Sequence, residues 1–405
     1  MHRAFKTSPV DSLYVDSGLP PLSIRREELS LRYITRALTS KSNPNYKYMK
    51  RPMDRAINKP TLPKPLEVRL QNESSNVGIL TTPIAQIGFA KTPPWRKPHV
   101  EICQAVGGKK SSEIMKREFL KHSNEHQEKN IIYTDGSKSA DGVGCAVVAG
   151  DATIKKKLPS SCSAFTAEMF AVLTAVKHVF NSGIQGENFL IYTDCSSVLA
   201  SLRQLMPMHP LVQEVQDWLV LLHSRKRIQV NFCWVPAHVG VAGNEKADKA
   251  AKEAIGLLNP SILSVPYGDF KIIIKVYIRN KWQERWAGLQ SNSKLKAIRP
   301  SIKKWQSSNQ SNRRSSIILT RLRIGHSHAT HNYLMSSGDE GQAPYCHTCQ
   351  SQLTLKHILI ECSDFNHERR AASLHGKTIN EILDDDCDVD NLMDFLKNID
   401  FYYKL

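Results

Sequence analysis

No run of apolar residues in this 405-residue chain approaches the roughly 18 needed to cross a bilayer. The amino terminus, Met1-His2-Arg3-Ala4-Phe5-Lys6, is not followed by an apolar stretch of signal-peptide type. No membrane association is expected. An intracellular protein is, with nucleus and cytoplasm left undistinguished. Cysteine is sparse, with 9 residues, an odd number. Cys103, Cys145, Cys162, Cys195 and Cys233 stand alone. Such cysteines read as small buried apolar residues in a reducing compartment. There is no internal repeat, which excludes a solenoid.

Acidic residues are scarce in two stretches. Residues 1–129 hold 23 Lys and Arg against 12 Asp and Glu, and residues 259–333 hold 14 against 2. Residues 130–258 are almost balanced, at 12 against 11. Residues 334–405 are acidic, at 6 against 13. A near-neutral centre flanked by basic segments suits a chain that holds a polyanion through its flanks. Hydrophobic content of 41% is ordinary for a globular protein.

Three regions follow from the pattern. Residues 1–129 read as a Pro-rich basic connector, with Pro52, Pro60, Pro63, Pro65, Pro83, Pro93, Pro94 and Pro98 preventing long helices. One helix is expected there, capped by Ser23 and carrying Leu29, Leu31, Tyr33 and Ile34 at helical spacing. Residues 130–258 alternate strongly. Ile131–Thr134, Gly142–Val148, Ala152–Leu158, Phe189–Thr193 and Ile228–Val235 read as five strands. Helices are expected from a Ser163 cap to Phe180, at Ser196–Met206 and Leu211–Ser224, and at Asn244–Ile255. The order β-β-β-α-β-α-α-β-α implies an α/β fold: a mixed five-stranded sheet with flanking helices. Residues 259–405 read as a basic helical segment followed by a mostly helical tail. Trp282 and Trp286, four apart, belong to a core rather than to a stacking surface. Asp384-Asp385-Asp386-Cys387-Asp388 reads as a solvated turn.

Four carboxylates fall where such a fold gathers ligands. Asp135 follows the first strand and Asp194 the fourth, and parallel strands present their carboxyl ends on one sheet edge. Glu168 and Asp248 lie near the starts of helices that can meet that edge. Singly, each has a plainer reading as a turn, dipole or solvated residue. Together they would repel one another unless a cation sits among them. Oxygen-only ligation favours Mg2+, with Mn2+ as the alternative. Two such ions about 4 Å apart suit phosphodiester hydrolysis. Asp135 is then the bridging residue, Glu168 and Asp194 complete one site and Asp248 the other. In Thr134-Asp135-Gly136-Ser137, the glycine lets backbone approach a phosphate or ribose that the serine can bond. In Trp234-Val235-Pro236-Ala237-His238-Val239-Gly240-Val241-Ala242-Gly243-Asn244-Glu245-Lys246-Ala247-Asp248, His238 sits in a Gly-containing loop and suits proton transfer near neutral pH.

These two segments, with Glu168 and Asp194 between them, closely resemble the type 1 ribonuclease H domain. The resemblance covers about 130 residues, near a third of the chain. It implies that Asp135, Glu168, Asp194 and Asp248 bind two magnesium ions. It also implies that His238 assists water activation or product release, and that the substrate is an RNA–DNA hybrid. Gly136, Ser137 and Asn244 are the expected substrate contacts. One departure is that some free-standing members carry an extra basic helix and loop between the two middle helices. Here only Met206 to Pro210 separates them. Substrate grip is therefore expected from the flanks, or from polymerase domains this chain lacks.

Cys346-x2-Cys349-x7-His357-x4-Cys362 has the ligand types and spacing of a structural Zn2+ site, with His347 and His367 as rival ligands. The tail resembles the zinc-binding segment after the ribonuclease H domain in reverse transcriptases of non-LTR retrotransposons. Gly18-Leu19-Pro20-Pro21 to Ala37 resembles the connector after the polymerase in such elements. No Tyr-x-Asp-Asp polymerase motif occurs in the chain. The expectation is therefore a carboxy-terminal portion of a retroelement polyprotein that cuts hybrids. The alternatives are a catalytically silent nucleic-acid-binding remnant, and a DNA-cutting nuclease of the same fold such as an integrase or transposase.

Overall fold

Every β-prone run after Asn130 becomes a strand, and a sixth strand joins them from the expected connector. The strands are β1 (Ile102–Gln104), β2 (Asn130–Lys138), β3 (Val143–Ala149), β4 (Ala152–Leu158), β5 (Asn188–Thr193) and β6 (Gln229–Trp234). They form one sheet in the order β1-β6-β5-β2-β3-β4. β1, β6, β5 and β2 run parallel, while β2, β3 and β4 form an antiparallel meander. The expected mixed sheet is thus present, widened at its parallel edge. β1 is only three residues long, too short to show a period in sequence. It exists because the edge of β6 offers unpaired backbone groups.

This computed structural model describes residues 8–49, 66–75, 77–79, 81–88, 91–97, 100–108, 110–126, 130–184, 187–289, 294–307, 310–331, 333 and 342–405. Of the prolines expected to make the connector extended, Pro52, Pro60, Pro63, Pro65 and Pro98 lie outside those residues. The chain divides into two compact units, Met1–Glu28 with Tyr277–Leu405, and Leu29–Val276.

The helices before the sheet are α1 (Val10–Ser17), α2 (Leu22–Ala37), α3 (Tyr46–Met49) and α4 (Leu66–Ser75); α5 (Ser112–Asn124) follows β1. In α2, Ser23 sits in the first turn rather than capping it. Ile24, Leu31 and Ile34 are buried while Leu29 and Tyr33 are exposed, so its apolar stripe is narrower than the spacing suggested. Among the strands lie α6 (Ala164–Asn181), α7 (Ser196–Leu202) and α8 (Pro210–Leu221), and α9 (Ala242–Ala254) follows β6. The Ser163 side chain accepts a hydrogen bond from the Thr166 amide at 3.2 Å, so the expected cap starts α6.

The remaining helices are α10 (Tyr267–Gly288), α11 (Lys294–Ile298), α12 (Arg313–Ile324), α13 (His328–His331), α14 (Asn366–Ala371), α15 (Ile379–Leu383) and α16 (Val389–Asn398). A short hairpin, β7 (Tyr345–Cys346) with β8 (Ser351–Gln352), opens the tail. Trp282 and Trp286 are buried, and the Trp286 ring N–H donates to the Arg299 carbonyl at 3.0 Å, as core residues do. The acidic run is not a free turn. Asp385 accepts from the amides of Gln306 and Ser307 at 2.7 and 2.9 Å. No helix among the described residues is long and apolar enough to cross a membrane.

Two close approaches set the sheet's faces. A Cβ on Gly136 would lie 2.3 Å from the Glu168 amide nitrogen, so α6 packs directly on that face. A Cβ on Gly144 would lie 2.5 Å from the Ala251 carbonyl oxygen on α9. Gly144 pairs with Ser137, one residue on from Gly136, so it faces the other way. α6 and α9 therefore cover opposite faces of β2 and β3.

Candidate functional site

β2 and β5 pair in parallel from Asn130 opposite Phe189 to Tyr133 opposite Tyr192. Two residues further along, the strands carry Asp135 and Asp194, so register alone sets the two carboxylates side by side. Glu168 comes to the same place from the second turn of α6. One ligand oxygen from each of Asp135, Glu168 and Asp194 lies within 4.8 Å of the others. Asp135 and Glu168 are buried and Asp194 is half-buried.

Three carboxyl groups this close cannot all ionise cheaply. Burial, then the charges of Asp194 and Asp248, push Asp135 up to about 7, with Lys252 opposing them. Burial, then Asp135 and Asp194, push Glu168 up to about 9. Burial raises Asp194 as well, against the hydrogen bond from Asn244 and the charge of His238. Glu168 Oε2 is buried with no hydrogen-bond partner. A buried carboxylate with an orphaned oxygen, clustered with two further carboxylates, is the donor set of a hard divalent cation. These residues fit magnesium or manganese.

Asp248 stands outside that trio. It lies in the second turn of α9, where its carboxylate takes a hydrogen bond from Lys252 at 2.7 Å, one helical turn on. Its charge still reaches Asp135. Asn244, expected at the substrate, donates its side-chain N–H to Asp194 Oδ2 at 3.3 Å. The Trp234 ring N–H fixes the same residue from behind, donating to the Asp194 carbonyl at 2.9 Å. Both come from the long second segment, so that segment positions Asp194 as well as supplying Asp248. Gly136 serves the packing of α6 on β2. Ser137 lies on β2 opposite Gly144, on the same face as Asp135. His238 is exposed, in a left-handed turn with φ of 55°. Gly243 lets α9 start against the ring of Tyr133, which a Cβ would meet at 2.2 Å.

The tail gathers its expected ligands too. Ligand atoms of Cys346, Cys349, His357 and Cys362 lie within 4.8 Å of one another. The Cys346 and Cys349 sulfurs are each 3.9 Å from that of Cys362. Tetrahedral zinc with bonds of about 2.3 Å sets its sulfurs about 3.8 Å apart. His357 is buried and its Nε2 has no hydrogen-bond partner, while Nδ1 meets the Ser351 hydroxyl at 3.4 Å. Neither His347 nor His367 joins the cluster. The donor set fits a structural zinc ion.

The isolated cysteines are not all isolated. Cys103 on β1, Cys233 on β6 and His122 on α5 also place ligand atoms within 4.8 Å of one another. Sequence reading missed this group because its members are far apart in the chain and β1 was not foreseen.

Comparison with known proteins agrees with the geometry. A family model described as RNase H matches residues 127–256, and that segment is an RNase H domain. The chain is also 29% identical over 124 residues to the Pol polyprotein of equine infectious anemia virus, isolate 1369. The Pol polyprotein of isolate CL22 matches to the same extent. The match covers 30% of this chain and 10% of each polyprotein, so the chain spans about a tenth of the length of these curated relatives.

Proposed function

We propose that this protein hydrolyses the RNA strand of RNA–DNA hybrids endonucleolytically, with two divalent ions at its acidic cluster. The observation that carries the reading is Glu168, which has a buried, unpartnered Oε2 and clusters with Asp135 and Asp194 inside an RNase H domain. Bound there, magnesium would supply Lewis acidity at the scissile phosphate and offset its developing charge.

The chain's own residues do the rest. Asp135, Glu168 and Asp194 would hold the metal through their clustered carboxylates. Asp248 would join them once Lys252 swings aside, a motion that costs little because an exposed i,i+4 ion pair is weak. Asn244 and Trp234 hold Asp194 in register. His238, exposed beside the cluster's Asp194, takes or returns a proton at its imidazole. Ser137 and Gly136 lie where the ribose–phosphate backbone passes.

Hybrid is held by the basic stretches at residues 1–129 and 259–333, since the RNase H region itself is close to neutral. The connection between α7 and α8, residues 203–209, carries exposed Leu205, Met206 and Met208 and no basic helix. The tail binds one zinc ion at Cys346, Cys349, His357 and Cys362. The protein is read as part of a retrotransposon polyprotein, acting inside the cell, whose reverse transcriptase polymerase lies elsewhere.

The test is cleavage of a labelled RNA–DNA hybrid by purified protein with magnesium, beside Asp194→Asn. Loss of RNA-strand cleavage with EDTA and with the substitution is expected. Hybrid binding without cleavage by either protein would favour a silent binding remnant. Cutting of duplex DNA instead would favour an integrase-like nuclease. Equal cleavage by both proteins would overturn the site.

A further inference from the structure

We infer that Cys103, His122 and Cys233 form a second thiolate–histidine metal site, for zinc, that clamps β1 and α5 onto the parallel edge of the RNase H sheet. Nothing in the ribonuclease reading requires this site.

The placement begins with register. β1 and β6 pair in parallel with Cys103 opposite Cys233. Laterally paired residues of neighbouring strands point to the same face, so both sulfurs lie on one side of the sheet. α5 covers that side, with Phe119 buried in one cluster with Tyr192, Cys233 and Val239. One turn further along the same helix stands His122. Its Nε2 is 3.6 Å from the Cys103 sulfur and 3.7 Å from that of Cys233.

Those separations are the ones a metal would impose. Tetrahedral zinc with bonds of about 2.3 Å to sulfur and about 2.05 Å to nitrogen sets S and N about 3.6 Å apart. The ring is aimed as well. His122 Nδ1 lies 3.1 Å from the Tyr192 hydroxyl, which can accept its N–H. Fixing the proton on Nδ1 leaves the Nε2 lone pair for a metal, the outer hydrogen bond found on most metal-bound histidines. Without metal the thiols can turn to the carbonyls of Phe232 and Trp234, at 3.6 and 3.7 Å.

The charge balances. Zinc enters as a dication, and the two thiols give up two protons to solvent. The resulting Zn(thiolate)2(imidazole) unit is neutral, which an apolar cluster tolerates. Water or a further donor takes the fourth position. Two thiolates and an imidazole select a soft or borderline cation over magnesium, so this site and the acidic cluster do not compete for one ion.

The test uses the full chain carrying Cys346→Ser and Cys349→Ser, so that the tail cannot bind, with excess magnesium present. Cobalt titration should then give a thiolate-to-cobalt charge-transfer band in the near ultraviolet that saturates at one equivalent. Zinc should erase the band, and adding Cys103→Ser should abolish it. Carboxylate-bound cobalt gives no such band. Absence of the band, or its survival in the Cys103→Ser protein, overturns the inference. A second measurement needs no variant: alkylation of the unmodified chain, read by mass spectrometry at each cysteine. Zinc should protect the half-buried Cys103, and a chelator should expose it, while Cys233 is shielded by burial in either state. Protection that a reductant removes and a chelator does not would mean a disulfide, and overturns the site. So does alkylation unaffected by zinc.

Discussion

Asp135 shows how much one residue's surroundings decide. On an open strand end it would be an ordinary carboxylate; here burial and two acidic neighbours push it up to about 7. Glu168 goes further, to about 9. Both values lie above those of the unfolded chain. Their stabilising contribution is therefore complete below the ordinary carboxylate range and is lost as pH rises through 7 and then 9. Metal-free protein should melt several degrees lower at pH 8.5 than at pH 5. Magnesium should restore most of that loss, because it binds the ionised forms. Asp135→Asn removes one of the three charges. It should flatten the pH dependence of the melt in EDTA, raise the metal-free melting point at pH 8.5 and abolish hybrid cleavage. Melting curves in EDTA and in magnesium at both pH values check this. A metal-free protein more stable at pH 8.5 would refute the electrostatic account.

Gly136 is the second decisive residue, through what it lacks. Its missing Cβ admits the Glu168 backbone. Gly136→Ala forces α6 off β2 and should cost on the order of 1–3 kcal/mol or more. Denaturant unfolding would measure it, and an Ala variant as stable as the parent would show that α6 can shift freely. Had Gly136 only served substrate, stability would not change.

Elements were legible where local signals agree with tertiary need. α6 combines a Ser163 cap with an apolar sequence, and the strands after Asn130 alternate or run apolar between turn residues. The acidic site was legible for the same reason, since Asp135 within β2 and Asp194 directly after β5 need only the strands' parallel register to come together. β1 was not legible, because three residues carry no period and only the edge of β6 makes them a strand. Asp385 was misread as solvated because its partners, Gln306 and Ser307, are remote in sequence. It accepts from two amides and the Ser307 hydroxyl, and Arg299 approaches to 3.6 Å. Arg299 and Arg323 in turn lie 3.9 and 3.8 Å from the centre of the buried Trp305 ring. Asp385→Ala should therefore destabilise this unit by about 1–3 kcal/mol, since it leaves donors and a cation without their acceptor. Asp386→Ala, at an exposed neighbour, should be near neutral. Parallel unfolding of the two variants checks the contrast, and equal effects would return the acidic run to a solvated turn.

At the scale of the molecule, the segment matched to RNase H and the folded body are not the same length. The match begins at residue 127, yet β1 and α5 precede it. β1 covers an edge of β6 that would otherwise present free backbone groups to other chains. Phe119 of α5 is buried against Tyr192, with ring centres 5.4 Å apart in an edge-on contact. Cutting at residue 127 removes both, uncovering the flank of β6 and one side of the Tyr192 ring. A fragment of residues 127–258 should thus melt well below one of residues 100–258, and self-associate at lower concentration. Its acidic cluster, built on β2, β5 and α6, keeps all its ligands. Magnesium should still stabilise both fragments by similar amounts, which separates loss of the edge from loss of the site. Melting and light scattering of the two fragments, with and without magnesium, make the comparison. Equal stability would mean that the sheet closes without its sixth strand and that residues 100–126 are a connector after all.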